Sequence, residues 1–300
     1  MNAEELKRDL AELAGWTEAA LERLVPAADV RPAQLHAAMR HSLFAGGKRL
    51  RPALCAAFAE ACGAERSAAE RPAAAIECLH TYTLIHDDLP CMDDDDLRRG
   101  VPTCHKVYGE AVALLAGDAL QALAFQLLAS MPSAPSVALA CVRELAAAAG
   151  PEAVVGGQVE DMLAEGRAPD AERLEYIQRH KTGDLIACAC RMGVLAAGGG
   201  DAALAAATAY AAALGEAFQV ADDLLDATSD AATLGKTPGK DAAQGKLTAV
   251  AVYGMEGARL RLARLVEEAV AALEALPQGA PPRAVERLAA LARYVAGRKS

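Results

Sequence analysis

Two clusters of aspartates stand far apart in the chain, Asp87-Asp88-Leu89-Pro90-Cys91-Met92-Asp93 and Asp222-Asp223-Leu224-Leu225-Asp226, and each closes an apolar segment of helical spacing. Carboxylates gathered beside an apolar interior repel one another and lose hydration, so they are costly unless cations compensate for them. Hard oxygen ligands of this kind suit Mg²⁺, which keeps some of its water and commonly bridges a few carboxylates to substrate phosphates. The chemistry that follows is a magnesium-diphosphate site.

The two clusters differ in geometry. On a helix, Asp222 and Asp226 project within about 40° of each other, with Asp223 and Gln219 bordering the same stripe. The first cluster cannot continue as regular helix through Pro90, so Asp93 must return to Asp87 and Asp88 by a loop or distorted turn. Asp95 and Asp96, just beyond, read as solvated acids. Arg98 and Arg99 follow at once. They could be a surface ion pair, yet guanidinium forks also match diphosphate oxygens in bidentate geometry. A second basic set lies upstream in Gly46-Gly47-Lys48-Arg49-Leu50-Arg51-Pro52. There the glycines let the backbone come close to an anion, and Lys48 with Arg51 could hold a phosphate group, although the segment could also be a loop at a helix start. His80 projects only about 20° from Asp87 and belongs to the same face.

The elements that must position these groups are helices. Alanine dominates many segments, aromatics are only 4%, and apolar positions recur at helical spacing, as in Leu114, Leu115, Ala119, Leu123 and Leu127. No alternating β-branched run bounded by hairpin signals is present, so the fold class is all-α. The connections expected at 131–135, 166–170, 198–201 and 277–282 are rich in residues that punctuate helices. None reads as an interdomain linker, and residues 1–300 are expected to form a single domain. The formal net charge of −10 excludes a general nucleic-acid binder, which needs a basic surface. Eight scattered cysteines without a CxxC pair, and no N-terminal apolar signal, point to core thiols in a reducing cytoplasm. Charges or glycines interrupt the Ala-rich runs, so no membrane span is expected and the protein reads as soluble.

GGKRLRP, ECLHTYTLIHDDLPCMDDDDLRRGVPTCH, AGDALQALAF, GGQVEDM, HKTGDLI, FQVADDLLD and TLGKTPGKDAAQGK occur in this order between Gly46 and Lys246. Together they resemble the trans-isoprenyl diphosphate synthases, most nearly the bacterial farnesyl diphosphate synthases. The resemblance covers nearly the whole chain. It implies an isoprenoid synthase-type helical bundle with a deep central cavity, usually in a homodimer, with the two aspartate motifs facing each other across the mouth. It implies three Mg²⁺ ions bridging Asp87, Asp88, Asp93, Asp222, Asp223 and Asp226 to an allylic diphosphate. Neutralising that leaving group favours heterolysis of its carbon–oxygen bond. The cation then alkylates isopentenyl diphosphate, and a proton is lost. By position, Lys48, Arg51, His80 and Arg99 would hold isopentenyl diphosphate, whereas Arg98, Lys181, Lys236 and Lys246 would contact the allylic diphosphate. The Lys181 carbonyl, Thr182 and Gln219 would face the developing carbocation.

Product length is a packing question. By family pattern Tyr82 would be a floor that stops growth near fifteen carbons, the alternative being that it packs on a neighbouring helix. A helical wheel supports Thr83 better, since it projects about 40° from Asp87 while Tyr82 lies about 140° away. Departures from the pattern are Leu247-Thr248-Ala249-Val250 after Lys246, and Asp184 where a small apolar residue usually follows Lys-Thr-Gly. A geranylgeranyl diphosphate synthase keeps the same motifs and remains an alternative. A class I terpene cyclase is disfavoured by Asp222-Asp223-x-x-Asp226 and by Lys48 with Arg51. A non-catalytic partner subunit is disfavoured by the retention of both acidic motifs.

Overall fold

The computed structural model describes residues 1–228 and 246–297. Helices carry the described chain: α1 (Ala3–Leu24), α2 (Ala33–Leu43), α3 (Leu50–Ala61), α4 (Glu70–Asp87), α5 (Cys104–Tyr108), α6 (Glu110–Ala129), α7 (Pro135–Ala149), α8 (Val154–Ala164), α9 (Ala171–Ile177), α10 (Asp184–Ala196), α11 (Asp201–Thr228), α12 (Ala249–Ala272) and α13 (Pro282–Ala296). A π-helical turn, Gln178–Gly183, joins α9 to α10. The strands described are β1 (Leu97–Arg98) and β2 (Val101–Pro102), a two-residue antiparallel hairpin pairing Leu97 with Pro102 and Arg98 with Val101. The all-α expectation holds.

Local chemistry starts and stops these helices. Asn2 and Glu5 form a reciprocal capping box at α1, and Asp170 accepts the Glu172 and Arg173 N–H groups at α9. Pro90 lies just past the end of α4, where the preceding residues cannot remain helical. Helices α3, α4 and α10 are buried around most of their circumference and form the centre. One core cluster gathers α4, α6 and their neighbours around Leu79, Ile85 and Leu120; a second gathers α3, α11, α12 and α13 around Phe58, Tyr210 and Leu288. Alanine at the contacts lets helix axes approach closely, which is why a chain with so few aromatics still closes its core.

Helix α6 comes nearest to a membrane span among the described residues. It is long and apolar enough to cross a membrane by length and composition, with a mean hydropathy of 1.6, a test that the core helix of a globular protein also passes. Ala113, Ala116, Leu120, Ala124 and Leu127 face inward at helical spacing, while Leu114 and Leu115 are exposed.

Candidate active site

The first acidic motif begins at the last turn of α4 and folds back on itself. Around Pro90 the Met92 N–H donates to the Leu89 carbonyl, and the Asp93 N–H donates to the Asp87 carbonyl at 2.9 Å. The loop expected from Pro90 therefore returns Asp93 to Asp87. Asp94 takes a left-handed backbone at φ 47°, an uncommon conformation for a residue with a side chain.

Crowding shows in the protonation of these groups. Burial lifts the Asp87 carboxyl to about 6; Lys181 and Arg98 pull it down, while Asp93 and Asp88 push it further up. Burial also raises Asp88, against the opposing pull of Arg98. Asp88 is almost fully buried and receives the Arg98 Nε–H at 2.6 Å, so these two predicted site residues are paired with each other in this state. A carboxylate held up by desolvation and like charge is a group that a cation would relieve. The all-oxygen donor set fits a divalent ion of the magnesium class.

Asp96 is exposed, as expected of a solvated acid, whereas Asp95 is half-buried. The Asp95 carboxylate lies 3.5 Å from Arg98, its carbonyl accepts from Thr103 Oγ1 at 2.8 Å, and Asp96 pairs with Lys106 at 2.7 Å. Asp94, Asp96 and the buried His105 bring ligand atoms within 4.8 Å of one another, a group that could also hold a metal. These contacts pin the hairpin that carries Arg98 and Arg99.

The basic groups converge beside α4. Burial lowers Arg51 to about 10, with Glu77 opposing and Arg99 adding to the shift. Burial and then the charges of Arg51, Arg99, Arg98 and Arg49 hold His80 well below the ordinary imidazole value, so it is neutral. Such mutually repelling cations are an anion site in waiting. Gly47 explains part of the assembly, because a Cβ there would sit 2.5 Å from the Arg99 Cζ, and the Arg99 guanidinium donates to the Gly46 carbonyl. Gly47 thus leaves room for the Arg99 guanidinium. Arg49, which the sequence did not separate from its neighbours, turns inward at φ 46° and donates to Glu77 at 2.7 Å and to the Leu43 carbonyl at 2.6 Å. Lys48 points instead to a cavity of about 260 Å³ that Leu10, Leu50, Phe218 and Tyr294 help to line.

Across from α4 stands the π turn. It carries Lys181 and the buried Thr182, and such turns within helices are frequent at functional sites. A Cβ at Gly157 of α8 would lie 2.2 Å from the Lys181 backbone nitrogen, so only glycine lets α8 approach this closely. The Lys181 ammonium pairs with Asp161 at 2.5 Å. Burial would lower it, but Asp161, Asp87 and Asp93 together raise it above the usual lysine value. Asp161 was missed from the sequence; its signal was the GGQVEDM segment, which spaces Asp161 four residues after Gly157 on one face of α8.

The second motif reaches the site on α11. Gly215 would meet the Gly183 Cα at 2.9 Å if it bore a Cβ, so this face of α11 packs against the π turn. Gln219, Asp222 and Asp226 continue the same face at helical spacing, with Asp222 exposed and Gln219 and Asp226 half-buried. Asp223 accepts the Ala249 N–H at 2.6 Å and so caps α12 together with Thr248. Lys246 lies 3.6 Å from Asp93 and ties the start of α12 to the first motif. Tyr82 is buried, edge-on to His86 at 5.6 Å, and Thr83 donates to the His80 carbonyl at 2.8 Å. Lys236 lies outside the described residues.

Residues 32–278 match the family model described as polyprenyl synthetase. The chain is 48% identical over 256 residues to the farnesyl diphosphate synthase of Escherichia coli (strain K12), covering 84% of this chain and 86% of that protein. It is 46% identical over 286 residues to the chloroplastic geranylgeranyl pyrophosphate synthase 9 of Arabidopsis thaliana, covering 93% of this chain and 78% of that protein. The crystal structure of an FPP/GFPP synthase from Zymomonas mobilis superposes with a TM-score of 0.87 at 36% identity, covering 98% of this chain and all of that one.

Proposed function

The chain belongs to the polyprenyl synthetase family and is a trans-prenyltransferase, and from that premise we propose that it condenses isopentenyl diphosphate with dimethylallyl or geranyl diphosphate to give farnesyl diphosphate. The observation that carries this reading is the return of Asp93 onto Asp87 with Lys181 and Lys246 set against them, beside a separate basic cluster around His80. One diphosphate fits each charge environment.

The family uses a divalent metal. We assign Asp87, Asp88, Asp93, Asp222, Asp223 and Asp226 to hold Mg²⁺, three ions with diphosphate bound. When bound, the metal neutralises the leaving diphosphate as carbon–oxygen cleavage develops negative charge on it. The chain's own cations supply the remaining positive charge. Lys181, Lys246 and Arg98, with Lys236, would hold the allylic diphosphate, and Arg98 must exchange Asp88 for phosphate oxygens to do so. Arg51, His80 and Arg99 would orient isopentenyl diphosphate, and Lys48 would join them by turning from the cavity it lines here. The neutral state of His80 suits it to donate one hydrogen bond without adding to the crowd of charges. Thr182, the Lys181 carbonyl and Gln219 would face the allylic cation with oxygen dipoles, in a bundle whose apolar walls keep out water.

Residues 1–300 are read as one synthase domain, supported by the ion pairs that join α1 to α13. The exposed leucines of α6 support a homodimer, in which a second copy covers that face. Eight free thiols support a reducing compartment, the cytoplasm. A geranylgeranyl product is the second reading, favoured by the plant synthase of that name at 46% identity. Purified protein supplied with Mg²⁺, isopentenyl diphosphate and each allylic primer should yield a fifteen-carbon diphosphate on chromatography. A predominantly twenty-carbon product would replace the farnesyl assignment, and no condensation with any primer would remove the enzymatic one.

A further inference from the structure

The π turn that presents Lys181 and Thr182 is held on two sides by backbone contact, at Gly157 of α8 and Gly215 of α11. A third hold comes from side chains. His180, adjacent to Lys181, donates its Nδ1–H to the Asp184 carboxylate at 2.8 Å, and its ring packs on Tyr176 with centroids 4.2 Å apart. Asp184 is the first residue of α10, which continues the helix from the π turn with Gly183 at φ −62° and ψ −42°, so the His180–Asp184 contact spans the junction one turn apart. The following residues Leu185, Ile186, Cys188 and Ala189 are buried, so α10 is a rigid base. Asp184 and His180 are both only partly exposed, which shields their bond from full solvent competition.

We propose that Asp184 is a positioning residue: acting through His180, it fastens the π turn to α10 and so fixes where the Lys181 ammonium and the Thr182 side chain stand. A π turn is a rare helical form that competes with tighter alternatives, and any relaxation of it swings its side chains about the helix axis. Lys181 must meet Asp161 on one side and the Asp87–Asp93 pair on the other, so a small rotation breaks one of these relations. Asp184 touches no reacting atom. Its effect belongs to the geometry of the ionisation step, and this rests on the function proposed above.

The test compares wild type with Asp184→Ala, Asp184→Asn, His180→Phe and the double variant that joins Asp184→Ala to His180→Phe. Asp184→Ala should lower kcat about tenfold, the usual loss for one hydrogen bond to a charged group, with KM for isopentenyl diphosphate within about twofold. Asp184→Asn retains an acceptor oxygen and should restore most of the rate. In the His180→Phe background, which keeps the ring on Tyr176 but lacks Nδ1, Asp184→Ala should have no further effect. Hydrogen exchange by mass spectrometry should show faster exchange confined to peptides spanning 177–184 in Asp184→Ala, a readout that does not depend on turnover. Unchanged kcat and exchange in Asp184→Ala, or an undiminished loss in the His180→Phe background, overturns the proposal. If wild type fails to condense the substrates, the functional reading fails, and the exchange measurement alone still decides whether Asp184 holds the turn.

Discussion

At the scale of single residues, Asp87 carries the strongest tension in the site. Its carboxyl is raised to about 6 because burial and two neighbouring acids outweigh Lys181 and Arg98. Asp87→Ala should lower kcat by about a hundredfold to a thousandfold, the range for removing one preorganised electrostatic group, while the melting temperature holds or rises. A near-normal steady-state rate would remove Asp87 from the site. Tyr82 makes a different wager. It packs on His86, and a hydrogen bond to Gln121 partly offsets the rise that burial imposes on its phenol, so it faces α6. Tyr82→Ala should shift the product toward twenty carbons on chain-length analysis, and an unaltered profile would reduce it to a packing residue. Much of this was legible in the chain. Pro90 foretold the return of Asp93, and the wheel placed His80 and Thr83 with Asp87. What stayed hidden were choices among equals: Lys48, Arg49 and Arg51 look alike in sequence, yet the left-handed backbone at Arg49 turns that side chain inward to Glu77.

At the scale of elements, the π turn decides how the two halves of the site meet. No periodicity announces it, since one extra residue in a helical turn alters neither composition nor spacing enough to read, and its partners Asp161, Gly157 and Gly215 come from other helices. The glycine contacts make a sharp prediction. Gly157→Ala would place a Cβ 2.2 Å from the Lys181 nitrogen, and backbone cannot yield as a flexible side chain can. The variant should lose about 1 to 3 kcal/mol in urea denaturation and fall in kcat as Lys181 is displaced. Wild-type stability with wild-type turnover would show that α8 does not set the turn's position. The hairpin is the other element that sequence passed over, because two residues per strand are too few for an alternation to register.

At the scale of the molecule, α1 and α13 are clasped together. Asp9 of α1 accepts from Arg287 at 3.0 Å and Arg283 at 3.1 Å of α13, and Arg287 also donates to Glu60 of α3. Burial alone would raise Asp9, but the two arginines lower it below the ordinary carboxylate value. A depressed folded-state value stabilises the fold above the unfolded value near 4 and loses that contribution as pH falls through it. Asp9→Asn should therefore cost about 1 to 2 kcal/mol near neutral pH, less than the loss from a fully buried pair because Arg283 is exposed, and the gap from wild type should narrow below about pH 4 in denaturant titrations. A gap independent of pH would mean that packing, not charge, makes the clasp. Helix α6 carries the remaining consequence. The carbonyl of its exposed Leu114 receives His86, the neighbour of Asp87, at 3.0 Å, so the face proposed for a second copy and the acidic mouth share one strut. The proposed homodimer then predicts that mass action enters catalysis: turnover per protein molecule should fall on dilution as pairs part, and a specific activity independent of protein concentration would separate that face from the acidic mouth.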